Sequence, residues 1–167
     1  MSVQPNPMAK LRSLEQISED CRLWRKDGLT IALVNGAFDL LHVGHLRYLT
    51  DASRQGDCLI AAVNTDHSVR SSKGPSRPII PQAERVEILA NLAMIDAIVL
   101  FDTPTVAPIL EILRPDVHAK GTDYTVSTVP EREVVESYGG RTVICGDPKD
   151  HATTDVLGTI LERFGPD

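Results

Sequence analysis

Short apolar runs alternate with segments of helical periodicity along most of this chain. Five runs have the length and the aliphatic content of strands buried on both faces, and they span residues 29–34, 58–63, 96–101, 116–120 and 141–145. Helical spacing, capping residues and helix-stopping Gly or Pro predict helices at about 13–26, 46–53, 81–93, 105–113, 130–138 and 153–164. Residues 71–81 contain Gly and three Pro without periodicity and are predicted to form a loop.

This alternation of strands and helices predicts the fold class. Strands that alternate with helices form a parallel sheet, and right-handed crossovers place helices on both of its faces. We therefore predict an α/β protein with a doubly wound, parallel, five-stranded sheet. Ligands of such sheets bind at the carboxyl ends of the strands. The polar clusters of the chain lie at these ends, at residues 35–45, 64–66, 120–124 and 146–154.

Composition and charge narrow the possible partners. A chain of 167 residues is expected to form one domain, here residues 12–167 after a short disordered lead at 1–11. The net charge of −6 argues against a nucleic-acid partner, which requires a basic surface. No apolar stretch is long enough to span a membrane. Cys58 and Cys145 lie in predicted strands and are expected to be free buried thiols in a reducing compartment, so the predicted location is the cytoplasm.

One segment combines a strand end, a glycine-containing loop and two histidines. Asn35-Gly-Ala-Phe-Asp39 follows the first predicted strand, and His42-Val-Gly-His45 opens the next helix. Histidines three residues apart project from the same side of a helix, and the free N–H groups of a helix start favour an anion. Gly44 has no side chain to keep a phosphate from the backbone. The pattern predicts a site where a phosphorus centre is transferred.

These two motifs resemble the HxGH signature of the nucleotidyltransferase superfamily, in its cytidylyltransferase-like branch. Members have a Rossmann-like fold, join an NTP to a phosphorylated small molecule and release pyrophosphate. Two further segments, Lys73-Gly-Pro-Ser-Arg77-Pro and Lys120-Gly-Thr-Asp-Tyr124, are similar to segments of the adenylyltransferase of bacterial ADP-heptose synthases. The resemblance covers roughly residues 12–164.

The resemblance implies a set of site residues. The expected catalytic residues are His42, His45 and Lys73. The expected nucleotide-binding residues are Asn35, Gly36, Ala37, Phe38, Gly44, Lys120, Gly121, Asp123, Thr153 and Thr154. The expected substrate-binding residues are Asp39, Asn64, Asp66, Arg77 and Arg85.

Several of these residues have a second interpretation. Phe38 is predicted to pack rather than to stack on a base. Asp39 either orders its loop or acts on substrate or metal, and Arg85 either forms salt bridges on its helix or binds ligand. Thr153 or Thr154 is predicted to cap the final helix and to offer donors to a phosphate.

Three places depart from the pattern of the family. Ala37 stands where these enzymes usually have Cys or Thr, and Ala152 replaces the first Ser of a Ser-Thr-Thr segment, which removes one expected phosphate contact. Residues 147–151 stand in place of the Arg-Thr-Glu-Gly stretch of glycerol-phosphate cytidylyltransferases, which argues against CTP and glycerol phosphate. Within them, Lys149 and His151 are expected to be exposed loop residues.

The resemblance implies an adenylyltransferase that makes ADP-heptose and pyrophosphate from ATP and D-glycero-D-manno-heptose 1-phosphate, for lipopolysaccharide or another surface glycan. No carboxylate cluster is suited to hold a metal, so Mg²⁺ is expected to bind together with ATP. A homodimer is also implied, and 167 residues leave no room for a sugar kinase, so a separate kinase is expected. The alternatives are a cytidylyltransferase for glycerol 3-phosphate or another alcohol phosphate, an FMN adenylyltransferase, and a non-catalytic nucleotide-binding module.

Overall fold

A six-stranded parallel sheet forms the centre of the protein, in a computed structural model that describes residues 6–148 and 152–165. The strands are β1 (Leu11–Arg12), β2 (Ile31–Gly36), β3 (Cys58–Asn64), β4 (Ala97–Phe101), β5 (Val117–Gly121) and β6 (Arg141–Cys145). They lie in the order β1-β4-β3-β2-β5-β6, and each neighbouring pair is parallel. The five predicted strands are confirmed, and β1 is added at one edge.

Helices cover both faces of this sheet. Those in the described residues are α1 (Leu14–Lys26), α2 (Val43–Ser53), α3 (Asp66–Lys73), α4 (Gln82–Ala90), α5 (Ala107–Leu113), α6 (Arg132–Ser137) and α7 (Thr153–Phe164). Leu49 of α2 and Leu89 of α4 are fully buried in one core with Val34. Ile17 of α1 and Leu110 of α5 are buried in a second core with Leu33, which points to the opposite face of β2. The predicted doubly wound α/β fold is confirmed.

The start and the end of α1 follow the local sequence. The Ser13 hydroxyl accepts the N–H of Gln16 at 3.2 Å, and the Gln16 side chain accepts the N–H of Ser13 at 2.8 Å. This pair is the capping box that the sequence predicts. Gly28 follows the helix with a φ of +77°, a conformation that residues with a Cβ rarely adopt.

The order of the strands determines where a ligand can bind. From β2 the chain proceeds to β3 and β4 on one side, and then returns to form β5 and β6 on the other side of β2. The direction of winding therefore reverses between β2 and β5. In a doubly wound sheet the crevice at the carboxyl ends of such a strand pair is the usual ligand site. The motif at Asn35–Asp39 and the segment at Lys120–Tyr124 meet in this crevice.

The part of the predicted lead that the structure describes is ordered. Pro7–Lys10 forms a 3-10 helix, and Leu11 in β1 pairs with Ile98 in β4. The Lys10 ammonium donates to the carbonyl of Leu92 at 2.8 Å. The structure thus differs from the predicted disorder over these residues, because a two-residue edge strand has too few positions to show a periodic pattern. Residues 1–5 lie outside the described part of the chain.

Helix α3 (Asp66–Lys73) includes the first three residues of the predicted 71–81 loop. Its first turn is capped by Thr65, whose hydroxyl accepts the N–H of Ser68 at 3.1 Å. Val69 is its one buried apolar residue, so the sequence has no apolar stripe to reveal the helix. Lys73 therefore ends a helix, and its predicted place in a loop is wrong. The loop begins at Gly74.

Burial of the cysteines agrees with the prediction. Cys21, Cys58 and Cys145 are all free and buried. Burial raises the pKa of each thiol to about 11, so none is an activated nucleophile at neutral pH.

Within residues 6–148 and 152–165, no helix has both the length and the apolar character needed to cross a membrane.

Candidate active site

A cavity of about 600 Å³ opens at the carboxyl ends of β2 and β5, within the size range of small-molecule sites. Its walls come from the two motif segments and from the ends of three helices that point towards it. The predicted site residues that line it are Asn35, Gly36, Ala37, Phe38, Asp39, His42, Gly44, His45, Asn64, Lys73, Arg77, Lys120, Gly121, Asp123, Thr153 and Thr154. Asp66 and Arg85 do not line it. Lys149 and His151 lie outside the described residues.

Two backbone amides determine which nitrogen of each motif histidine carries the proton. His42 caps α2, and its Nδ1 accepts the N–H of Gly44 at 3.2 Å. The Nδ1 of His45 accepts the N–H of His42 at 3.4 Å. A neutral imidazole that accepts at Nδ1 carries its proton on Nε2. With ring centroids 4.0 Å apart, the two histidines bring two Nε2–H donors to the start of one helix.

The surroundings of His45 keep it uncharged at neutral pH. Burial, reinforced by the electrostatic effect of the neighbouring His42 and Lys73, lowers the pKa of His45 to about 4. The Phe38 ring lies 5.8 Å from the His45 ring, centroid to centroid, and is 4% exposed. Phe38 is thus a packing residue, as predicted, and only its backbone is placed to meet a ligand.

Asp39 connects the motif loop to the loop after α3. Its carboxylate is 2% exposed and accepts hydrogen bonds from Arg77 Nε at 2.7 Å and from the N–H groups of Ile79 and Ile80 at 2.9 Å each. Burial opposes ionisation of this carboxyl, but the three hydrogen bonds outweigh burial and lower its pKa. Both oxygens are engaged within the protein, so Asp39 orders the loop and holds Arg77 at the cavity wall.

Arg85 is a structural residue rather than a ligand of the substrate. Its side chain is 1% exposed and donates to the carbonyls of Ile80 at 3.0 Å and Asn64 at 2.9 Å, and also to the carbonyl of Ala37. A fourth bond, 2.8 Å long, joins it to the Asp66 carboxylate. The expected substrate contacts of Arg85 and Asp66 are therefore wrong. Arg85 supports the motif loop through its bond to the Ala37 carbonyl.

Two lysines give the cavity its positive charge. Lys73, at the carboxyl end of α3, has no hydrogen bond or ion pair to any residue that the structure describes. Lys120 is 7% exposed, and its Nζ lies 3.7 Å from the Glu131 carboxylate and 4.9 Å from the centroid of the Tyr124 ring. Lys73 is therefore available to an incoming anion, whereas Lys120 is held in place by its neighbours.

The amino end of α7 faces the cavity, but the predicted cap is wrong. The residue in the cap position is Ala152, and Asp155 accepts its N–H at 2.8 Å from inside the first turn. The Thr153 hydroxyl donates instead to the Asp39 carbonyl at 3.0 Å, which ties α7 to the motif loop. Thr154 is exposed at the cavity rim. The helix start retains the free N–H groups that favour a phosphate.

Some residues that shape the cavity were not predicted from the sequence. The Tyr48 hydroxyl donates to the carbonyl of Ala119 at 2.7 Å, and the Asp51 carboxylate accepts the N–H of Gly146 at 2.9 Å. The first contact joins α2 to β5, and the second joins α2 to the residue that follows β6 at the cavity rim. The partners are separated by 71 and 95 residues, so no local pattern indicates these contacts.

The described residues contain no group of three or more His, Cys, Asp or Glu side chains able to hold a metal ion. Of the carboxylates that line the cavity, Asp39 is engaged by three donors and Asp147 pairs with Arg47 at 2.5 Å. Because Lys73, Arg77, Lys120, two imidazoles and a helix start also form its wall, the cavity suits an anion better than a bare cation.

Sequence comparison relates the chain to known proteins. The profile of the cytidylyltransferase-like family matches residues 33–162. The bifunctional protein HldE of Syntrophotalea carbinolica is 44% identical over 156 residues, and that of Geobacter sulfurreducens is 43% identical over 157 residues. These alignments cover 93% and 94% of this chain but 32% of each relative, so the chain spans about a third of the length of the curated relatives that it matches.

Structural comparison agrees on the fold. The lipopolysaccharide core biosynthesis protein of Thermoplasma volcanium superimposes with a TM-score of 0.63 at 22% identity, over 73% of this chain and 100% of that one. The pantoate-beta-alanine ligase of Francisella tularensis, solved with beta-gamma ATP and beta-alanine, superimposes with a TM-score of 0.60 at 16% identity, over 94% of this chain and 79% of that one.

Proposed function

The chain belongs to the cytidylyltransferase-like family and is a nucleotidyltransferase, and we propose that it transfers AMP from ATP to D-glycero-D-manno-heptose 1-phosphate. The observation that carries the proposal is the pair of imidazoles, His42 and His45, whose Nε2–H donors line a cationic cavity at the switch point of the sheet. This arrangement favours a reaction in which negative charge builds up on a phosphoryl group.

In the proposed reaction an oxygen of the sugar phosphate attacks the α-phosphorus of ATP. The new P–O bond forms as the bond from the α-phosphorus to the α,β-bridging oxygen breaks, and pyrophosphate leaves with that oxygen. A phosphate monoester is largely ionised at pH 7, so no general base is needed. The protein aligns the two phosphates and stabilises charge on the transferred group.

Each cavity residue has a place in this scheme. His42 and His45 donate to the oxygens of the α-phosphoryl group. Lys73 pairs with the β- and γ-phosphates and stabilises the departing pyrophosphate, together with the N–H groups at the start of α7. Lys120 and the backbone of Gly121 face the nucleoside. Arg77, which Asp39 holds at the wall, contributes charge to the acceptor phosphate.

The cavity residues fit Mg²⁺ that arrives with the triphosphate. Such an ion neutralises phosphate charge, and Mg²⁺ is commonly held by substrate phosphates, one or two carboxylates and water. Asp39, Asp123 and Asp147 are the carboxylates that line the cavity, and the proposal needs none of them as a direct ligand because the phosphates would carry the ion.

The choice of a heptose 1-phosphate rests on the relatives. The two HldE proteins match this chain over nearly its whole length at more than 40% identity, and both are named bifunctional. All five residues of Lys120-Gly-Thr-Asp-Tyr124, the segment similar to that of heptose adenylyltransferases, line the cavity. We include in the proposal a sugar kinase that supplies the substrate, a homodimeric assembly and a cytoplasmic location.

A grid of substrates tests this proposal. Pyrophosphate release is measured for ATP, CTP, GTP and UTP against both anomers of heptose 1-phosphate, glycerol 3-phosphate and FMN, each with Mg²⁺. The proposal predicts turnover with ATP and one heptose 1-phosphate anomer, lost in His45→Ala. Turnover of CTP with an alcohol phosphate, or of ATP with FMN, would replace the proposed substrates with those alternatives. ATP binding without turnover on any acceptor would favour the non-catalytic module.

A further inference from the structure

A buried polar cluster lies between β2 and β5, beneath the cavity. His118 is 0% exposed, and its Nε2 lies 3.0 Å from the side-chain oxygen of Asn35. The Nζ of Lys120 lies 3.3 Å from the same oxygen. Leu33 pairs with His118 in the sheet, so these polar side chains share the sheet face that carries the core of Ile17 and Leu110. A histidine at such an apolar position requires an explanation.

The chemistry of Lys120 determines the orientation of the Asn35 amide. A lysine ammonium donates hydrogen bonds and accepts none, so the Asn35 atom that faces it is the oxygen. Because that oxygen is an acceptor, the Nε2 of His118 carries a proton and donates it. The two donors together hold the Asn35 oxygen on the buried side of the crevice.

The Asn35 NH₂ group is consequently directed away from the cluster. Its nitrogen has no hydrogen-bond partner within residues 6–148 and 152–165, and Asn35 lines the cavity. Two N–H donors are therefore available to an acceptor atom of a ligand, next to the motif loop. A rotation of the amide by 180° would offer a carbonyl oxygen instead and would place two donors against Lys120 and His118.

We propose that His118 is a positioning residue, which together with Lys120 fixes the Asn35 amide so that its NH₂ group donates to bound nucleotide. This inference rests on the proposed nucleotide site. His118 itself touches no ligand and acts through Asn35.

Two features of His118 support a role beyond packing. Its Nδ1 is buried without a hydrogen-bond partner among the described residues, which costs free energy that an aliphatic residue would avoid. Burial, assisted by the charge of Lys120, lowers the pKa of His118 to about 3, so the ring is neutral and has a single donor. That one donor, the Nε2–H group, forms the hydrogen bond to the side-chain oxygen of Asn35.

A double-mutant cycle tests this coupling, with the Kd for ATP as the measured quantity. Removing one hydrogen bond that orients a donor is expected to weaken ATP binding about 5- to 10-fold in His118→Leu. His118→Gln, which can place an amide donor near the position of Nε2, is expected to restore binding to within about twofold of the wild type. Val117→Ala, on the same strand but facing the other sheet surface, is the control for general loss of packing and should leave the Kd unchanged.

The double variant shows whether His118 affects ATP binding through Asn35. If His118 acts through Asn35, then Asn35→Ala combined with His118→Leu binds ATP no more weakly than Asn35→Ala alone. Multiplied losses in the double variant, or unchanged binding in His118→Leu, would overturn the inference.

A second readout does not depend on nucleotide. The side-chain amide signal of Asn35 in a ¹H–¹⁵N spectrum, assigned as the signal that Asn35→Ala removes, should shift in His118→Leu and return towards its wild-type position in His118→Gln. A signal that does not move in His118→Leu would contradict the inference even if ATP proves not to bind. Absence of ATP binding by the wild type would count against the proposed function alone.

Discussion

Replacing Arg85 with lysine separates a structural role from a ligand role. The guanidinium donates to three carbonyls and one carboxylate on four different segments, at Ala37, Asn64, Asp66 and Ile80. A lysine retains the charge but carries its three donors on one atom, which cannot reach acceptors on all sides of a planar group. We expect at least two of the four bonds to be lost.

The cost follows from the burial of these groups. Hydrogen bonds to a charged group contribute about 1.5–3 kcal/mol each, and two lost bonds correspond to about 3–6 kcal/mol. In a domain of this size about 1 kcal/mol lowers Tm by about 2–4 °C, so Arg85→Lys should lower Tm by about 6–24 °C. Arg70→Lys, on the exposed surface of α3, is the matched control and should change Tm by less than about 2 °C.

Calorimetry and kinetics at 15 °C together decide the role of Arg85. A structural residue predicts a large loss of Tm with a KM for ATP and for the sugar phosphate within about fivefold of the wild type, since a lost ligand contact would cost more. An unchanged Tm with a KM raised more than tenfold would refute this reasoning and would indicate that Arg85 binds substrate directly.

Three further predictions concern other parts of the site. Asp39→Asn replaces one acceptor oxygen with an NH₂ group, which leaves at least one of the buried donors of Ile79, Ile80 and Arg77 unmatched and removes the charge that pairs with Arg77. It should destabilise the fold by about 3 kcal/mol in urea unfolding; a change below about 1 kcal/mol would contradict its role in ordering the loop. Because the folded-state pKa of His45 is lowered to about 4, the unfolded chain binds a proton between pH 6.5 and 4 that the folded chain does not bind. The free energy of unfolding should therefore decrease as the pH is lowered from 6.5 to 4, by up to about 1.4 kcal/mol per pH unit, and less steeply in His45→Gln. The same pH dependence in both proteins would contradict the lowered pKa of His45. Tyr48→Phe should cost about 1 kcal/mol of stability, and an unchanged urea midpoint would show that its bond to the Ala119 carbonyl contributes nothing.

The sequence was sufficient for the features that repeat or lie close together along the chain. Strands such as Ile31–Gly36 are buried on both faces and read as continuous apolar runs, and α1 begins at a capping box formed within four residues. The cavity was predictable because strand ends in a parallel sheet meet at one edge. The histidine pair was predictable because both members lie on one helical turn.

Features set by distant contacts were not predictable. α3 has a single buried apolar residue, Val69, so the apolar pattern of the sequence does not predict a helix at its carboxyl end. Arg85 resembled a surface helix residue because its four acceptors are 5 to 48 residues away in the chain. His118 lies within an apolar run, and nothing in the neighbouring sequence indicates its contact with Asn35 on the adjacent strand.

The most direct test of the proposed reaction follows the phosphorus atoms. The protein is incubated with Mg²⁺ and heptose 1-phosphate, and with ATP labelled either at the α-phosphorus or at the γ-phosphorus, and the products are separated. Transfer of AMP predicts that the α-label appears in a sugar nucleotide and the γ-label in pyrophosphate, with both products lost in His42→Ala and His45→Ala. Appearance of the γ-label on the sugar, or of the α-label only in free AMP, would contradict nucleotidyl transfer by the histidine pair.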